Sequence, residues 1–377
     1  MIPKKLLFLS VSAGAGHVRA AEALHAWGAA AFGGRIESRH LDVMDYVPSS
    51  FRRMYVSGYL KVIQHLPTMW GLLYRAADKT SPDAISQKLR RAVERLGTRA
   101  LTRAIADFAP DAIVSTHFLP AELLAGKTRR GKLNLPLWVL VTDFDLHRMW
   151  VQPHVTGYFA ANDEVKFRLQ SHGIDPARVH VTGIPIMPAF SQKLPRAACA
   201  AEAGLAPDRT TVLLMGGGAG VGRLDEVAAC LLALPRDFQL IVLAGKNQKA
   251  LAALQRLAAR HPGRLFPQGF TGQVERLMAC ADVVITKPGG LTTSECLALG
   301  LPMIVHSPIP GQEEHNADYL LEEGAAAKAI DETGMEYRLD RLLASPKTLA
   351  AMRARAKSLG RPQAGRDVLH IVLGGAS

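Results

Sequence analysis

Apolar segments rich in β-branched residues are followed, repeatedly along the chain, by a glycine-rich turn and a helical pattern. The sharpest example is "DVVITKPGGLTTSECLALG" at residues 282–300, where a strand-like segment runs into two glycines. Thr292, Thr293 or Ser294 is then expected to cap the helix that follows. Repeated strand, turn and helix units are typical of parallel sheets covered by helices. The predicted fold class is therefore α/β.

Each half of the chain carries a glycine-rich turn directly after its first predicted strand. These turns are "SAGAGHVRAAEAL", which begins at Ser12, and "GGGAGVGRLDEVAACL", which begins at Gly216. Between them, "TGIPIMPAFSQKLP" interrupts regular structure with three prolines. We therefore predict two Rossmann-like, doubly wound domains at residues 1–185 and 186–377, with the last helix able to pack back on the first domain. A ligand is expected in a cleft between them, beyond the carboxyl ends of the strands. The predicted strands are KLLFLSV, AIVSTH, LWVLVTDF, VTGYFAA and VHVTGIP in the first half, and TVLLMGGG, FQLIVLAG, RLFPQGF, DVVITKPGG and PMIVHSP in the second.

The composition excludes several classes of protein. With 48% hydrophobic and 21% charged residues, the chain can fill large cores. The four cysteines form no CxxC pair, so neither a disulfide framework nor a metal site is expected, and a reducing cytoplasm fits. The apolar run after the N-terminal lysines is about six residues long, which is too short for a signal peptide or a membrane span.

The formal charge of +12 is concentrated in the first half of the chain. Residues 1–185 contain 24 Lys and Arg against 15 Asp and Glu. Such an excess suits nucleic acid or an anionic membrane surface, or it has no specific partner. The sequence has no zinc finger, basic zipper or aromatic RNA-binding pattern, so nucleic acid is not an expected partner.

Residues 51–79 mix aromatic and basic side chains, a combination that suits the headgroup boundary of an anionic bilayer. The same pattern also suits a buried helical pair with solvated arginines. On the pattern alone both interpretations stand, and the family resemblance stated below favours a peripheral membrane face. Its candidate residues are Arg52, Arg53, Tyr55, Tyr59 and Trp70.

The glycine turn of the second half is suited to a phosphate. Gly216, Gly217 and Gly218 let the main chain approach without a Cβ, and the next helix directs its positive end at the anion. The turns lack the arrangement of a nicotinamide fingerprint, and a Walker lysine is absent. A nucleoside diphosphate is therefore favoured over NAD or ATP. Lys287 is expected either to pair with phosphate or to be solvated.

His17 is the main candidate for acid-base chemistry. It lies at the start of a helix after a glycine turn, where the helix dipole would keep the ring neutral and able to accept a proton. A role in capping or in positioning an acceptor is the alternative. Asp143 in "VTDF" is a second candidate base, acting directly or by orienting His17 or His147. His117 in "STHFLP" is expected to be structural.

Five motifs together resemble a known family. They are "SAGAGHVRAAEAL", "VTDFDLHRMW", "GGGAG", "TKPGGLTTSECLALGLPMIV" and "PIPGQEEHNADYL". The chain resembles the monogalactosyldiacylglycerol synthase and processive diacylglycerol glucosyltransferase family, relatives of the glycosyltransferase MurG. The resemblance implies a GT-B fold and inverting transfer of a hexose from a UDP-sugar to diacylglycerol, with no cofactor. One departure is Ala13-Gly14-Ala15-Gly16-His17, where the family often has Gly-Gly-Gly-His.

The resemblance also implies roles for individual residues. Gly289, Gly290 and Leu291 would approach the diphosphate, Thr292 would add a hydroxyl, and Glu295 would bind the ribose. In the remaining motifs, Gln312 and Glu313 would face the sugar, Asn316 the phosphate or sugar, and Phe270 the uracil, with Gly16, His147 and Trp150 on the acceptor side.

Two other functions share this architecture. One is an isomerase like UDP-N-acetylglucosamine 2-epimerase, and the other is a nucleotide-sugar sensor without catalysis. The set of His17, Glu295 and Gln312 favours an enzyme. A cytoplasmic protein associated with the inner face of the cell membrane is expected.

Overall fold

The computed structural model describes residues 2–12, 14–53, 71–72, 98–131, 133–216 and 223–375. Contacts between residues divide the chain into two compact units. Unit 1 comprises residues 1–188, 309–315 and 361–377, and unit 2 comprises residues 189–308 and 316–360.

Unit 1 is built on a parallel sheet with the strand order β2-β1-β3-β4-β5-β6 in its described residues. Helices cover both faces, because the strands carry apolar side chains on each side. The strands are β1 (Lys4–Ser10), β2 (Ile36–Asp42), β3 (Ala112–Ser115), β4 (Leu137–Leu140), β5 (Gly157–Ala160) and β6 (Val179–Val181). The helices are α1 (Ala15–Phe32), α2 (Ser49–Arg52), α3 (Thr98–Phe108), α4 (Phe118–Arg129) and α5 (Asp163–Ser171), with 3₁₀ turns at Val43–Tyr46, Arg148–Trp150 and Pro176–Arg178.

Unit 2 contains a second parallel sheet, with the order β12-β11-β10-β7-β8-β9. Its strands are β7 (Thr211–Met215), β8 (Gln239–Leu243), β9 (Leu265–Gln268), β10 (Val283–Thr286), β11 (Met303–His306) and β12 (Ala326–Ala329). The helices of the second half are α6 (Arg196–Ala203), α7 (Leu224–Ala233), α8 (Gln248–Ala258), α9 (Val274–Cys280), α10 (Gly290–Leu299), α11 (Gln312–Glu322), α12 (Glu332–Ala344) and α13 (Pro346–Leu359).

The last described helix, α14 (Ala364–Val372), belongs to unit 1 and packs on α1. The fit is close, because a Cβ on Gly365 would lie 2.2 Å from Cδ1 of Trp27. The indole of Trp27 in turn donates to the carbonyl oxygen of Ile186 at 2.9 Å.

The two strand orders locate the ligand-binding edge of each sheet. In unit 1 the chain runs from β1 to one side of the sheet and then returns to continue on the other side, so the strand order reverses between β1 and β3. In unit 2 the same reversal lies between β7 and β10. Ligands of open α/β sheets bind beyond the carboxyl ends of the strands at such switch points. The first residues after β1, β3, β7 and β10 therefore lie at these two switch points.

The α/β fold and all ten predicted strands are confirmed. Two further strands, β2 and β12, were not predicted, and both are edge strands. The expected helix cap after β10 is wrong. Helix α10 begins at Gly290 with Gly289 as its N-cap and no capping side chain, so the hydroxyl residues lie inside the helix. The Ser294 hydroxyl donates to the carbonyl oxygen of Gly290 at 2.8 Å instead.

Candidate active site

His17 lies at the switch point of the unit 1 sheet. Helix α1 begins two residues before it, after Gly14, whose φ of 116° is accessible to glycine and strained for other residues. Gly16 lies in the first turn of the helix and not in the glycine turn before it, and its role on the acceptor side stays a prediction. The imidazole is thereby held beside the residues that follow β3 and β4.

Two hydrogen bonds fix the orientation of the His17 ring. Its Nδ1 lies 3.0 Å from the carbonyl oxygen of Thr116 and 2.8 Å from Oγ1 of Thr142. A carbonyl oxygen only accepts, so Nδ1 carries the proton in the neutral ring. The hydroxyl of Thr116 also donates to the carbonyl oxygen of His17 at 2.8 Å. This geometry leaves the lone pair of the neutral ring on Nε2, which is the atom that can act as a base.

Aromatic rings surround His17. The ring of His117 meets it edge-on with centroids 4.5 Å apart, and the ring of Trp150 lies 6.0 Å away. Burial lowers the pKa of His17 to about 4, although the bond to Thr116 opposes the shift. Burial, together with the charge of His17, also lowers the pKa of His117 well below its usual value. Both rings are therefore neutral at neutral pH.

His117 was expected to be structural. Its Nδ1 accepts from the N–H of Leu119 at 3.1 Å and caps helix α4, which is a structural contact. The ring also touches His17, however, so it belongs to the immediate surroundings of the candidate base. The available signal was its position just after the strand "AIVS", next to the switch point. The same signal, a position just after a strand of this sheet, was available for Thr116 and Thr142, which were not predicted.

The other predicted unit 1 residues lie after β4. Asp143 directly follows Thr142 and is half-buried. His147 is buried, and its Nδ1 accepts from the N–H of Met149 at 3.1 Å to cap a 3₁₀ turn. That turn carries Trp150, which is 3% exposed and packs beside His17 and His117. The segment after β4 thus contributes one wall of the site around His17.

The glycine turns of unit 2 lie on neighbouring strands. Strand β7, which ends before Gly216, pairs with β10, which ends before Lys287. The first N–H groups of helix α10, from Gly290 to Thr292, have no acceptor within the helix. Leu291 is buried and Thr292 half-buried. Gly217 and Gly218 fall outside the described residues.

Two polar residues border the turn after β10. Glu295 is half-buried and is the sixth residue of α10. It therefore lies beyond the first turn of the helix, and the first turn is where a carboxylate interacts best with the helix dipole. Asn316 is fully buried, and its Nδ2 donates to the carbonyl oxygen of Pro288 at 3.0 Å. This bond gives Asn316 a part in holding the turn. Its contact with phosphate or sugar stays a prediction.

The "PGQEEH" stretch groups with unit 1. Oε2 of Glu313 accepts from the N–H of Ile309 at 2.7 Å, and Oε2 of Glu314 accepts from that of Gly311 at 2.9 Å. These bonds set the conformation of the loop that carries Gln312. The role of Gln312 and Glu313 toward a sugar stays a prediction.

A hydrogen bond ties the end of this stretch to the segment after β4. His315 pairs with Asp145, which also binds Arg168 at 2.8 Å. Burial pushes the pKa of Asp145 upward, but these partners and the N–H of Leu146 outweigh it and lower the pKa. Neither His315 nor Asp145 was predicted to matter.

Phe270 follows β9 and is 66% exposed, so it is not a core residue. Nζ of Lys246 lies 5.1 Å from the centre of its ring. An exposed aromatic ring at the carboxyl end of the sheet is available to stack on a base, and contact with uracil stays a prediction.

Few of the predicted membrane residues can be described. Arg52 is exposed and binds Asp45 at 2.7 Å, and Arg53 is exposed. Tyr55, Tyr59 and Trp70 lie outside the described residues. In the portion of the chain that the structure covers, no helix is long and apolar enough to cross a membrane. Nor do its His, Cys, Asp and Glu side chains form a group of three that could hold a metal ion.

Two family profiles match the chain, one in each half. Residues 17–186 match monogalactosyldiacylglycerol (MGDG) synthase, and residues 211–366 match the glycosyltransferase family 28 C-terminal domain. A processive diacylglycerol beta-glucosyltransferase of Bacillus licheniformis is 31% identical over 301 residues, which cover 80% of this chain and 77% of that protein. The protein of the same name from Bacillus pumilus is 30% identical over 372 residues, covering 98% and 94%.

Solved structures share the fold. MurG of Acinetobacter baumannii superposes with a TM-score of 0.64 at 18% identity, covering 99% of this chain and all of that one. The UDP-GlcNAc 2-epimerase of Neisseria meningitidis superposes with a TM-score of 0.61 at 16% identity, covering 98% of this chain and all of that one. Fold alone therefore does not separate transferase from isomerase, whereas the sequence relatives do. The chain belongs to the family of monogalactosyldiacylglycerol synthases and processive diacylglycerol glucosyltransferases, and is a glycosyltransferase with the two-domain GT-B fold.

Proposed function

We propose that this glycosyltransferase moves a hexose from a UDP-sugar to diacylglycerol, with inversion, to give a β-glycolipid. The observation that carries the proposal is the His17 ring, held neutral with its Nε2 lone pair available at the switch point of the unit 1 sheet. The names of the relatives support diacylglycerol as the acceptor.

Donor binding is assigned to the two adjacent turns of unit 2. Gly216 and Gly289 allow close approach of the diphosphate, and the free N–H groups at the start of α10 supply partial positive charge. Lys287 follows β10 and adds a full positive charge beside the turn. Glu295, one turn farther along the helix, can accept from both ribose hydroxyls.

The transfer requires one base and one displacement. Nε2 of His17 accepts the proton of the diacylglycerol hydroxyl while the oxygen of that hydroxyl bonds to the anomeric carbon of the sugar. The bond from the anomeric carbon to UDP breaks on the opposite face. A pKa of about 4 keeps the ring neutral but makes it a weak base. Proton transfer is therefore expected to accompany formation of the carbon–oxygen bond, when the hydroxyl becomes acidic. Asp143 is the alternative base.

No metal is proposed for this reaction. Main-chain N–H groups at a helix N-terminus and a lysine can neutralise the charge that develops on departing UDP. The proposal also includes no bound cofactor, because the UDP-sugar is itself a substrate.

We also propose that the protein binds peripherally to the anionic inner face of the cell membrane. The basic excess of the first half supports this. Helix α3 adds to it, because Leu101 and Ile105 are buried while Arg99 and Arg103 on the same helix are exposed.

A panel of UDP-sugars tests the reaction class. Purified protein is incubated with UDP-glucose, UDP-galactose, UDP-N-acetylglucosamine or UDP-glucuronic acid and total membrane lipid, and products are identified by mass spectrometry. One of them should yield a glycosyl-diacylglycerol and UDP. Conversion of a UDP-sugar without lipid would indicate the isomerase instead, and binding of UDP with no product would indicate the sensor.

Replacing Glu295 by Ala should weaken UDP binding by about 1.5–3 kcal/mol, the range for hydrogen bonds to a charged group. Isothermal calorimetry with UDP measures the change. Glu322→Ala is the control, because Glu322 is an exposed glutamate at the last position of α11 in the same unit. Equal affinities of the Glu295 variant and the wild type would remove Glu295 from the donor site.

Replacing His17 by Ala should reduce turnover by about 10²–10⁴, the usual contribution of a general base, with UDP affinity unchanged. Steady-state assays with diacylglycerol measure this. His25→Ala is the control, because His25 lies on the same helix and is exposed. Normal transfer by the His17 variant would shift the role of base to Asp143.

The pH profile of kcat/KM gives a second readout for His17. Its acidic limb should lie nearer pH 4 than pH 6.5, because the ring remains a base until its own pKa. The folded pKa is below the value of 6.5 in the unfolded chain, so the fold loses stability as pH falls from 6.5 toward 4. Rates are therefore compared above about pH 5. A fall of kcat/KM centred near pH 6.5 would be visible in that range, and it would contradict the assignment of His17 as the base.

Changing Arg53, Arg99 and Arg103 to Gln should weaken binding to vesicles containing anionic lipid by about 3 kcal/mol in total, at about 1 kcal/mol per basic residue. Co-sedimentation at low salt measures the loss, which should shrink in high salt. Changing Lys249, Arg256 and Arg260, three exposed basic residues on or just after α8 of unit 2, removes the same charge as a control. Equal losses in the two triple variants would contradict a membrane face on unit 1.

A further inference from the structure

His117 presents a hydrogen-bond donor that the proposed reaction does not yet use. Its Nδ1 accepts from the N–H of Leu119 at 3.1 Å. A main-chain N–H only donates, so Nδ1 carries no proton, and the proton of the neutral ring is on Nε2. Burial and the charge of His17 keep the ring neutral, because both lower its pKa well below the usual value. His117 therefore carries an N–H at Nε2.

The two histidines of the unit 1 site are held in opposite tautomers. His17 carries its proton on Nδ1, because that nitrogen faces the carbonyl oxygen of Thr116. His117 carries its proton on Nε2, because its Nδ1 is occupied by the helix cap. The two rings meet edge-on with their centroids 4.5 Å apart. The pair thus offers one acceptor, on Nε2 of His17, and one donor, on Nε2 of His117, to a single small ligand.

Nε2 of His117 has no partner in the protein and is not enclosed by it. Among the described residues, the hydrogen bonds of this ring involve Nδ1 alone. Nε2 is also not one of the enclosed, unpartnered side-chain atoms of the part of the chain that the structure covers, so it keeps an accessible surface. His117 as a whole is 3% exposed. The accessible surface is therefore small, and an oxygen atom that approaches Nε2 is otherwise surrounded by protein.

Aromatic rings border this donor. The ring centre of Phe118 lies 4.2 Å from that of His117, and the ring centre of Trp150 lies 6.3 Å from it. Phe118 is half-buried, and its ring meets that of Trp150 edge-on at 6.0 Å. An anion would lose its hydration among these rings without gaining a counter-charge, whereas an uncharged oxygen gains a hydrogen bond. These surroundings favour an ester carbonyl attached to hydrocarbon over a phosphate or a carboxylate.

We propose that Nε2–H of His117 donates a hydrogen bond to the carbonyl oxygen of the acyl ester that neighbours the reacting hydroxyl of 1,2-diacylglycerol. The inference rests on the proposed function, which brings that hydroxyl to Nε2 of His17. The free hydroxyl and the neighbouring ester are on adjacent glycerol carbons, so one acceptor molecule can reach both histidines. His117 thereby selects an acyl ester and orients the hydroxyl toward the base, and it transfers no proton itself.

The test compares 1,2-diacylglycerol with a 1,2-dialkylglycerol of equal chain length, each in mixed micelles at the same mole fraction. The ether analogue keeps the reacting hydroxyl but lacks the carbonyl oxygen. The wild type should use the ester with a kcat/KM about three- to tenfold higher, the effect of one net hydrogen bond. His117→Asn should bring this ratio close to one. Asn is a good N-cap residue and retains the cap of α4, but its shorter side chain places no N–H at the position of Nε2.

His117→Gln is the complementary variant. Its amide places an N–H near the position of Nε2 but does not reproduce the cap of α4, so it should keep part of the ester preference while melting at a lower temperature. A purely structural His117 would give the reverse order, with Asn close to the wild type and Gln impaired. His172→Leu, at an exposed histidine directly after α5 of the same unit, should retain the ratio of the wild type. Thermal melting verifies that each variant is folded.

The outcomes separate this inference from the proposed function. An ester preference that survives in His117→Asn, or a wild type that uses both acceptors equally well, would remove His117 from the acceptor site while leaving transfer to diacylglycerol intact. A loss of equal size with both acceptors would also contradict the inference, because it would indicate an effect through His17. A wild type that glycosylates neither acceptor would overturn the inference and the proposed function together.

Discussion

Every paired strand in the two described sheets runs parallel to its neighbours, and this constraint creates both sites. Parallel strands bring all their carboxyl ends to one edge, so turns that are far apart in sequence become neighbours. In unit 1 this brings His17 to Thr116 and Thr142. In unit 2 it brings Gly216 beside the turn at Lys287. The chemistry of each unit therefore depends on strand order before it depends on any side chain.

The buried strands could be predicted because each is a short apolar run followed by a turn. Two of the four edge strands, β2 and β12, could not. β2 has the sequence "IESRHLD" and β12 the sequence "AAKA", neither of which forms a continuous apolar run. An edge strand has a neighbour on one side only and is less completely covered, so its residues need not be apolar. Hydrophobic pattern thus identifies the centre of a parallel sheet better than its limits.

The sequence could predict single residues of the candidate site but not which of them lie side by side. A motif indicates a residue that follows a glycine turn, as it does for His17, but it does not indicate which other strand end lies beside that residue. The contacts of His17 with His117 and Thr142 depend on the strand order β1-β3-β4. Several other orders of the same strands would separate these residues. Asn316 illustrates the converse. The motif predicted a contact of this residue with the ligand, which stays a prediction, but it did not predict that the amide donates to Pro288 and supports the turn.

The two units differ in how they use charge, and the proposed reaction explains the difference. Around His17 burial suppresses charge, and the pKa values of His17 and His117 both fall so that the rings remain neutral. Such surroundings suit an acceptor that is an uncharged hydroxyl on a lipid, because a buried cation would attract an anion in its place. Around the unit 2 turns, Lys287 and the N–H groups of α10 supply positive charge. Positive charge is thus concentrated at the turns proposed to bind the diphosphate, while the proposed proton acceptor keeps the lone pair on which the transfer would depend.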